Sequence, residues 1–275
     1  HRAQSDLARN SRVAHALRDG LSSLARDPLG TLRGAGELAG SVARMLRPVT
    51  KPSSPLLTER SLAIHLDAFS RPQDELRRAA KATGGTLNDA FVAAVAGGLR
   101  LYHERHGRPA QELRMTMPVN LREGERGRDA GNHFAPTRFA VPIGIADPAL
   151  RMRAIHAAVA AARSEAALPL SEEIAGVLGR LPRALSVPLF GSMLKSIDFV
   201  TSNVPGPPFP VYVAGAHVRA MFGFGPLSGA AVNVTLFSYD GELCFGVNTD
   251  RAAVPDPDLF LECLERGVAE VLALA

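Results

Sequence analysis

Two apolar runs near the end of the chain, separated by a turn signal, constrain the fold more than any other feature. The runs cover Ala230–Ser238 and Glu242–Asn248, and Tyr239-Asp240-Gly241 stands between them. An Asp-Gly pair supplies the positive φ angles of a tight primed turn, so the sequence predicts a β-hairpin here. A hairpin among helical segments argues against a doubly wound parallel sheet.

The rest of the chain beyond the first sixty residues alternates between strand and helix patterns. Further strands are predicted at Ser61–Phe69, Leu113–Val119, Arg138–Ile143, Phe199–Asn203, Val211–Val213 and His217–Phe222. Helices are predicted at Gln73–Ala82, Leu87–His106, Leu150–Ala166, Ser171–Leu181, Ser186–Leu194 and Asp258–Leu274. This mixture predicts an α+β fold, in which helices flank a mixed sheet.

The first part of the chain differs from the rest in charge. Residues 1–51 hold nine basic and four acidic side chains, a net charge of +5, whereas the remaining residues are close to neutral. Two amphipathic helices are predicted here, followed by an extended Pro-rich stretch, Pro48–Pro55. We therefore predict a helical basic linker over 1–57 and a globular body over 58–275. The linker is either a connector packed on that body or a surface that leans on anionic lipid.

Composition excludes several classes of protein. With 46% hydrophobic residues in 275, the chain can bury a sizeable core. Only 5% of residues are aromatic and Trp is absent, so a nucleic-acid-binding module is disfavoured. No apolar run approaches the ~20 residues that span a bilayer. The two cysteines, Cys244 and Cys263, fit a reducing cytoplasm, and a chain that begins with His1 is expected to be a fragment.

Five polar motifs follow one another along the body. They are Asn88-Asp89, Met117-Pro118-Val119-Asn120-Leu121-Arg122, Gly131-Asn132, Thr201-Ser202-Asn203-Val204-Pro205-Gly206-Pro207 and Asn233-Val234-Thr235-Leu236-Phe237-Ser238-Tyr239-Asp240-Gly241. In this order they resemble the C-terminal half of the bacterial wax ester synthase/diacylglycerol acyltransferase family. The resemblance runs from about Thr58 to Ala275.

The resemblance implies a lobe of the chloramphenicol-acetyltransferase-like superfamily, preceded by an interlobe linker. Such enzymes have two α+β lobes with a channel between them. A His of the N-terminal lobe, in a His-His-x-x-x-Asp-Gly motif, deprotonates a fatty alcohol or diacylglycerol, which attacks acyl-CoA directly. Acyl-CoA is a co-substrate, and no cofactor is expected. The products are wax esters or triacylglycerol, made in the cytoplasm at a membrane or lipid-droplet surface. The partner of this chain is then its N-terminal lobe, and the chain alone is expected to be inactive.

One segment imitates the catalytic motif. His15-Ala-Leu-Arg-Asp19-Gly20 spells its second half, but Ala14 stands where the first His belongs. The segment also lies within a predicted amphipathic helix, where a general base does not reach substrate. We therefore disfavour His15 as a catalytic residue and expect none in this chain.

The candidate site residues each have a structural alternative. Asn88 and Asp89 match the family motif near the acyl channel, but Thr86-Leu-Asn-Asp89 also resembles a capping box. Ser202 and Asn203 are candidates to stabilise the oxyanion, or parts of a turn before Gly206 and Pro207. Asn132 is a candidate on the resemblance alone.

Asn233, Thr235 and Phe237 share one strand face, which suits a wet channel, the seam between lobes or a solvated surface. Histidines lack metal-ligand spacing beyond His103 and His106, which are expected to act as cations at a helix end, so no metal is predicted. Two other functions stay open: a non-catalytic lobe that binds lipid or scaffolds a partner, and a condensation-type acyltransferase whose donor is a carrier protein.

Overall fold

The computed structural model describes residues 52–120, 134–164 and 197–275, and Gly40 alone before them. The strands in these ranges are β1 Ile64–Pro72, β2 Glu112–Asn120, β3 Phe134–Pro142, β4 Phe199–Pro205, β5 Tyr212–Val213, β6 Ala216–His217, β7 Val232–Tyr239 and β8 Glu242–Asp250. The helices are α1 Gln73–Ala82, α2 Leu87–Arg105, α3 Pro148–Arg163 and α4 Pro257–Leu272. The predicted helices before residue 52 and between 171 and 194 lie outside the described residues, as does His15.

Six strands form one mixed sheet in the order β1-β8-β7-β4-β2-β3. Strand β4 runs parallel to both β2 and β7, and the other neighbours are antiparallel. The predicted hairpin is confirmed as β7–β8, and its turn residues Asp240 and Gly241 have φ angles of 46° and 82°. A mixed sheet with flanking helices confirms the α+β fold class.

The core lies between one face of this sheet and the helices. Helix α2 is buried on nearly all sides from Asp89 to Leu99, which is why its apolar residues follow no single stripe. Phe91 of this helix meets Phe245 of β8 edge to face at 5.9 Å, and Phe245 stacks on Phe69 of β1 at 4.5 Å. These ring contacts join the helix to the β1–β8 side of the sheet.

A buried ionic cluster joins three helices. Arg151 of α3 is fully buried, and its guanidinium donates to Glu270 Oε2 of α4 at 2.7 Å. Arg100 of α2 donates to the other oxygen of Glu270 at 2.8 Å. Arg151 also donates to the backbone carbonyl of Ala93. Burial lowers the pKa of Arg151, and the carboxylate of Glu270 opposes that shift.

Residues 52–57, at the end of the predicted linker, pack onto this body. Ser54 Oγ lies 2.8 Å from His103 Nε2, and the backbone N–H groups of Ser53 and Ser54 donate to Asp198. His103 Nδ1 lies 2.8 Å from the carbonyl oxygen of Leu99, which can only accept, so Nδ1 carries a hydrogen. Ser54 Oγ already accepts from the N–H groups of Leu56 and Leu57, so its hydroxyl donates to Nε2 and the ring is neutral. Burial lowers the pKa of His103. The expectation that His103 is a helix-end cation is therefore wrong.

The second predicted strand after Pro210 is shorter than expected. Only Ala216 and His217 pair, with β5, and residues 218–229 continue as a loop rather than as a strand to Phe222. The hydroxyl of Tyr239 explains this, because it accepts from the N–H of Val211 and donates to the carbonyl of Val218. We call residues 218–229 the covering loop, since it lies against the sheet face opposite the helices.

Candidate functional site

The sheet parts between its two parallel strands β2 and β4. Their ladder consists of two pairs, Met115–Phe199 and Thr116–Val200. Beyond these pairs β2 continues with β3 to Asn120, and β4 continues with β7 to Pro205. We call the place where β2 and β4 separate the strand opening. Ligands of open sheets commonly bind at the carboxyl ends of parallel strands, so this opening is the candidate site.

Three of the five sequence motifs meet here. The Met117–Asn120 end of β2 and the Thr201–Pro205 part of β4 lie at the same end of the sheet, because the two strands are parallel. Asn88, at the start of α2, donates through Nδ2 to the sulfur of Met117 at 3.5 Å, which is a weak hydrogen bond. Asn132 lies outside the described residues.

The predicted capping box at the start of α2 is confirmed. Thr86 Oγ1 accepts from the N–H of Asp89 at 3.2 Å, and Asp89 Oδ2 accepts from the N–H of Thr86 at 2.8 Å. Asp89 is 1% exposed. The helix end is thus fixed by reciprocal hydrogen bonds, which orients the neighbouring Asn88.

His156 is a candidate residue that sequence reasoning missed. Its Nδ1 lies 2.8 Å from Asp89 Oδ2, so α3 contacts the capping box of α2. The side chain of His156 is 53% exposed, whereas that of Asp89 is 2% exposed. No local motif links the two residues, because only the packing of α3 on α2 brings them together. Among the described residues, this pair combines an accessible imidazole with a buried carboxylate.

Ser202 and Asn203 point to opposite faces of β4. Ser202 stands opposite Thr235 of β7 and is half-buried, whereas Asn203 stands opposite Leu236 and is exposed. Side chains of adjacent residues in a strand point to opposite faces of the sheet, so at most one of these two can face a given substrate group. The structural interpretation of Gly206 is supported, because a Cβ there would lie 2.3 Å from the carbonyl oxygen of Ser238.

Asn233 and Thr235 share a face as predicted, but that face is covered. They are 2% and 4% exposed, so the solvated-surface interpretation is wrong. Asn233 Nδ2 donates to the carbonyl of Pro226 at 2.8 Å, and Thr235 Oγ1 accepts from the N–H of Gly225 at 3.3 Å. Their polar groups hold the covering loop against the sheet. Asn248, which sequence reasoning missed, adds a bond to the carbonyl of Gly225 at 2.7 Å.

Exposed apolar side chains concentrate in two segments. Nine of the ten large hydrophobic residues exposed in the described ranges lie there, and Leu150 is the tenth. They are Leu62, Ile64 and Leu66 before and within β1, and Val204, Phe209, Tyr212, Val213, Phe222 and Phe224 from the end of β4 to the start of β7. The two segments approach each other on the sheet. Phe224 lies close to Gly246 of β8, and Gly246 pairs with Ala68, which is two residues from Leu66 on β1. We call these nine residues the apolar segments, and exposure on this scale is typical of a surface that contacts another body.

Positive charge also lies beside the strand opening. Arg138 of β3 stands opposite Thr116, the last residue of β2 that pairs with β4. Burial lowers the pKa of Arg138, and the nearby charge of Arg114 lowers it further.

In the described ranges no group of His, Cys, Asp and Glu side chains is suited to hold a metal ion. No helix in those ranges has the length and apolar character to cross a bilayer.

Comparison with known proteins places these features in a family. The profile of the WS/DGAT C-terminal domain matches residues 130–271, where WS/DGAT denotes wax ester synthase/diacylglycerol acyltransferase. A candidate diacylglycerol O-acyltransferase of Mycobacterium tuberculosis is 42% identical over 250 residues, which cover 90% of this chain and 50% of that protein. The chain therefore spans about half the length of the curated relatives it matches.

Solved structures give the same result. The wax ester synthase/diacylglycerol acyltransferase from Marinobacter aquaeolei VT8 matches with a TM-score of 0.62 and 26% identity, over 86% of this chain and 55% of that one. The EpoB cyclization-docking bidomain from Sorangium cellulosum, a nonribosomal peptide synthetase part, matches with a TM-score of 0.56 and 14% identity, over 86% and 48% of the two chains. The second likeness shows the fold alone. The chain belongs to the wax ester synthase/diacylglycerol acyltransferase family and carries its C-terminal domain.

Proposed function

We propose that this chain is the C-terminal half of an acyl-CoA-dependent O-acyltransferase that forms wax esters or triacylglycerol. The acceptor is a fatty alcohol or diacylglycerol, and the general base is a His on an N-terminal lobe. The observation that carries the proposal is the meeting of Asn88, the end of β2 and the end of β4 at the strand opening, in a member of this family. These residues would form one wall of the substrate channel.

The chemistry assigned to this wall is positioning and electrostatic stabilisation. The alcohol oxygen attacks the thioester carbon, the His takes the alcohol proton, and the thiolate of CoA leaves after the tetrahedral intermediate collapses. Ser202 is half-buried on β4 next to the strand opening, and we assign it as the hydroxyl donor to the developing oxyanion. One well-placed donor contributes about 3 kcal/mol to such a step.

The apolar segments support a two-lobe enzyme. Their nine exposed side chains lie outside the helical core, and the curated relatives are about twice as long as this chain. We assign this surface to contact with the N-terminal lobe. The covering loop would then lie at the seam, held in place by Asn233 and Thr235.

The test compares the full-length protein with this chain alone. Each is mixed with palmitoyl-CoA and either hexadecanol or dioleoylglycerol, and thiol release and ester products are followed. Transfer by the full-length protein and none by the lone chain is expected. Thiol release by the lone chain would contradict the assignment of the base. Transfer from an acyl carrier protein but not from acyl-CoA would instead favour a condensation-type enzyme.

A further inference from the structure

Two methionines of β2 lie at the strand opening. Met115 is 0% exposed and Met117 is 3% exposed, and both point to the helix-covered face of the sheet. Thr201 of β4, which is 1% exposed, lies on the same face and is the first β4 residue beyond the shared ladder. Two of these three side chains are unbranched thioethers, which adapt their shape more readily than branched residues do.

The polar contacts of these methionines are weak. Met115 Sδ accepts from Thr201 Oγ1 at 3.2 Å, and Met117 Sδ accepts from Asn88 Nδ2 at 3.5 Å. Thr137, opposite Met117 in the β2–β3 ladder, is 7% exposed, and its Oγ1 has no hydrogen-bond partner. The opening thus combines an apolar interior with a buried hydroxyl and an amide, which suits a ligand with a long apolar chain and one polar group.

Entry at this place breaks no ladder hydrogen bonds. Beyond Thr116 and Val200 the two strands no longer pair with each other, and each keeps its other neighbour. A linear chain entering from the carboxyl ends of β2 and β4 would meet the side chain of Met117, whose polar contact is the weak bond to Asn88. A methionine side chain has nearly the cross-section of the polymethylene chain that would replace it.

We propose that the fatty acyl chain of the donor enters between β2 and β4 and displaces the side chain of Met117, which makes Met117 a determinant of acyl-chain length. This inference rests on the proposed function and names the place that accepts the chain. Each methylene that enters the opening contributes about fourfold to affinity. A larger side chain at position 117 would then exclude long chains, and a smaller one would admit longer chains.

The experiment measures kcat/KM of the full-length protein for butyryl-, palmitoyl- and stearoyl-CoA. Met117→Trp should lower the palmitoyl-to-butyryl ratio at least ~10-fold, and Met117→Ala should raise the stearoyl-to-palmitoyl ratio by about fourfold or more. Met152→Ala is the matched control, because Met152 is also fully buried and its sulfur accepts from Thr83 Oγ1 at 2.8 Å, on helix α3. That variant should leave both ratios within about twofold of wild type.

A binding measurement separates this inference from the proposed function. Equilibrium binding of palmitoyl-CoA and butyryl-CoA to the same proteins needs no turnover, and the butyryl value corrects for partial misfolding. If no variant or wild type transfers acyl groups, the proposed function fails while binding still decides the role of Met117. Unchanged chain-length ratios in both Met117 variants, whether in binding or in kcat/KM, would overturn the inference.

Discussion

Nδ1 of His156 lies 2.8 Å from Oδ2 of Asp89, 67 positions away along the chain. The same carboxylate oxygen accepts from the N–H and the hydroxyl of Thr86, both at 2.8 Å. One buried oxygen therefore closes the N-terminal turn of α2 and anchors α3 to it. Asn88 precedes Asp89 in this turn, and its side-chain amide reaches Met117 at the strand opening.

Replacing Asp89 and Asn88 separates structure from catalysis in the full-length protein. Asp89→Ala should lower the free energy of unfolding by about 1–2 kcal/mol, because the capping box is lost, and should also lower turnover. Asn88→Ala should leave stability within about 0.5 kcal/mol, since it removes only a weak bond to sulfur, and should lower turnover. Urea unfolding and thiol release measure the two effects. Equal losses of stability with unchanged turnover would make the motif purely structural.

His156→Ala tests whether the accessible His–Asp pair acts as the general base. We expect turnover within about fivefold of wild type, because the proposed base lies on the N-terminal lobe. The stability loss should stay below about 1 kcal/mol, because the imidazole is half-exposed and Asp89 keeps its hydrogen bonds from Thr86. His65→Ala is the control, since His65 and Asp67 form a second part-exposed pair at 3.0 Å on β1. A loss of turnover above about 100-fold in His156→Ala alone would assign the base to this chain.

The buried His103 predicts a stability that falls on acidification. Its pKa in the folded protein lies below the ordinary value of 6.5, so the unfolded chain binds more protons as the pH drops through that value. The contribution of His103 to the free energy of unfolding is therefore fully present above about pH 6.5 and is lost progressively below it. Urea unfolding of this chain at about pH 7.5 and about pH 5 should show the loss, and His103→Gln should reduce it.

Asp198, which accepts from the backbone of Ser54, titrates in the opposite sense. Burial raises the pKa of this carboxyl above 3.8, so its contribution favours the folded state at low pH and is lost as the pH rises through the folded pKa. Comparison of wild type with His103→Gln cancels this contribution, because both proteins keep Asp198. An equal acid dependence in the two proteins would contradict the role of His103.

Removing Glu270 should be costly because it leaves a buried charge. Glu270→Ala would leave the fully buried Arg151 with only backbone acceptors, so we expect a loss of about 2–3 kcal/mol in the free energy of unfolding. Glu262→Ala, on the same helix, removes an exposed pair with Arg105 and should cost less than about 0.5 kcal/mol. Similar losses of unfolding free energy in both variants would show that the buried cluster stabilises the fold no more than an exposed ion pair does.

The basic first segment predicts binding to anionic lipid. Residues 1–51 carry a net charge of +5, and each basic residue near such a surface contributes ~1 kcal/mol, screened by salt. Vesicle sedimentation should show binding to anionic but not neutral liposomes, weaker with added salt. Charge reversal at Arg33, Arg44 and Arg47 should weaken it further. Binding that does not depend on lipid charge or salt would contradict this prediction and favour the interpretation of the segment as a connector.

Local signals in the sequence determined several elements of this protein. The bounds of α1, the capping box of Thr86 and Asp89, and the hairpin turn at Asp240 and Gly241 depend on residues within a few positions of one another. Their preferred φ angles and hydrogen bonds form without help from distant parts of the chain. The order of the polar motifs likewise pointed to the family, because order along the chain is a property of sequence alone.

Tertiary structure decided what those motifs do. His156 meets Asp89 only because α3 packs on α2, and Asn233 is buried only because the covering loop folds over β7. The neutral state of His103 follows from burial against Ser54, which no helix-end pattern reveals. The strand opening beyond Thr116 depends on pairings between strands far apart in sequence. Long-range packing sets burial, register and charge state, and these quantities have no local signature along the chain.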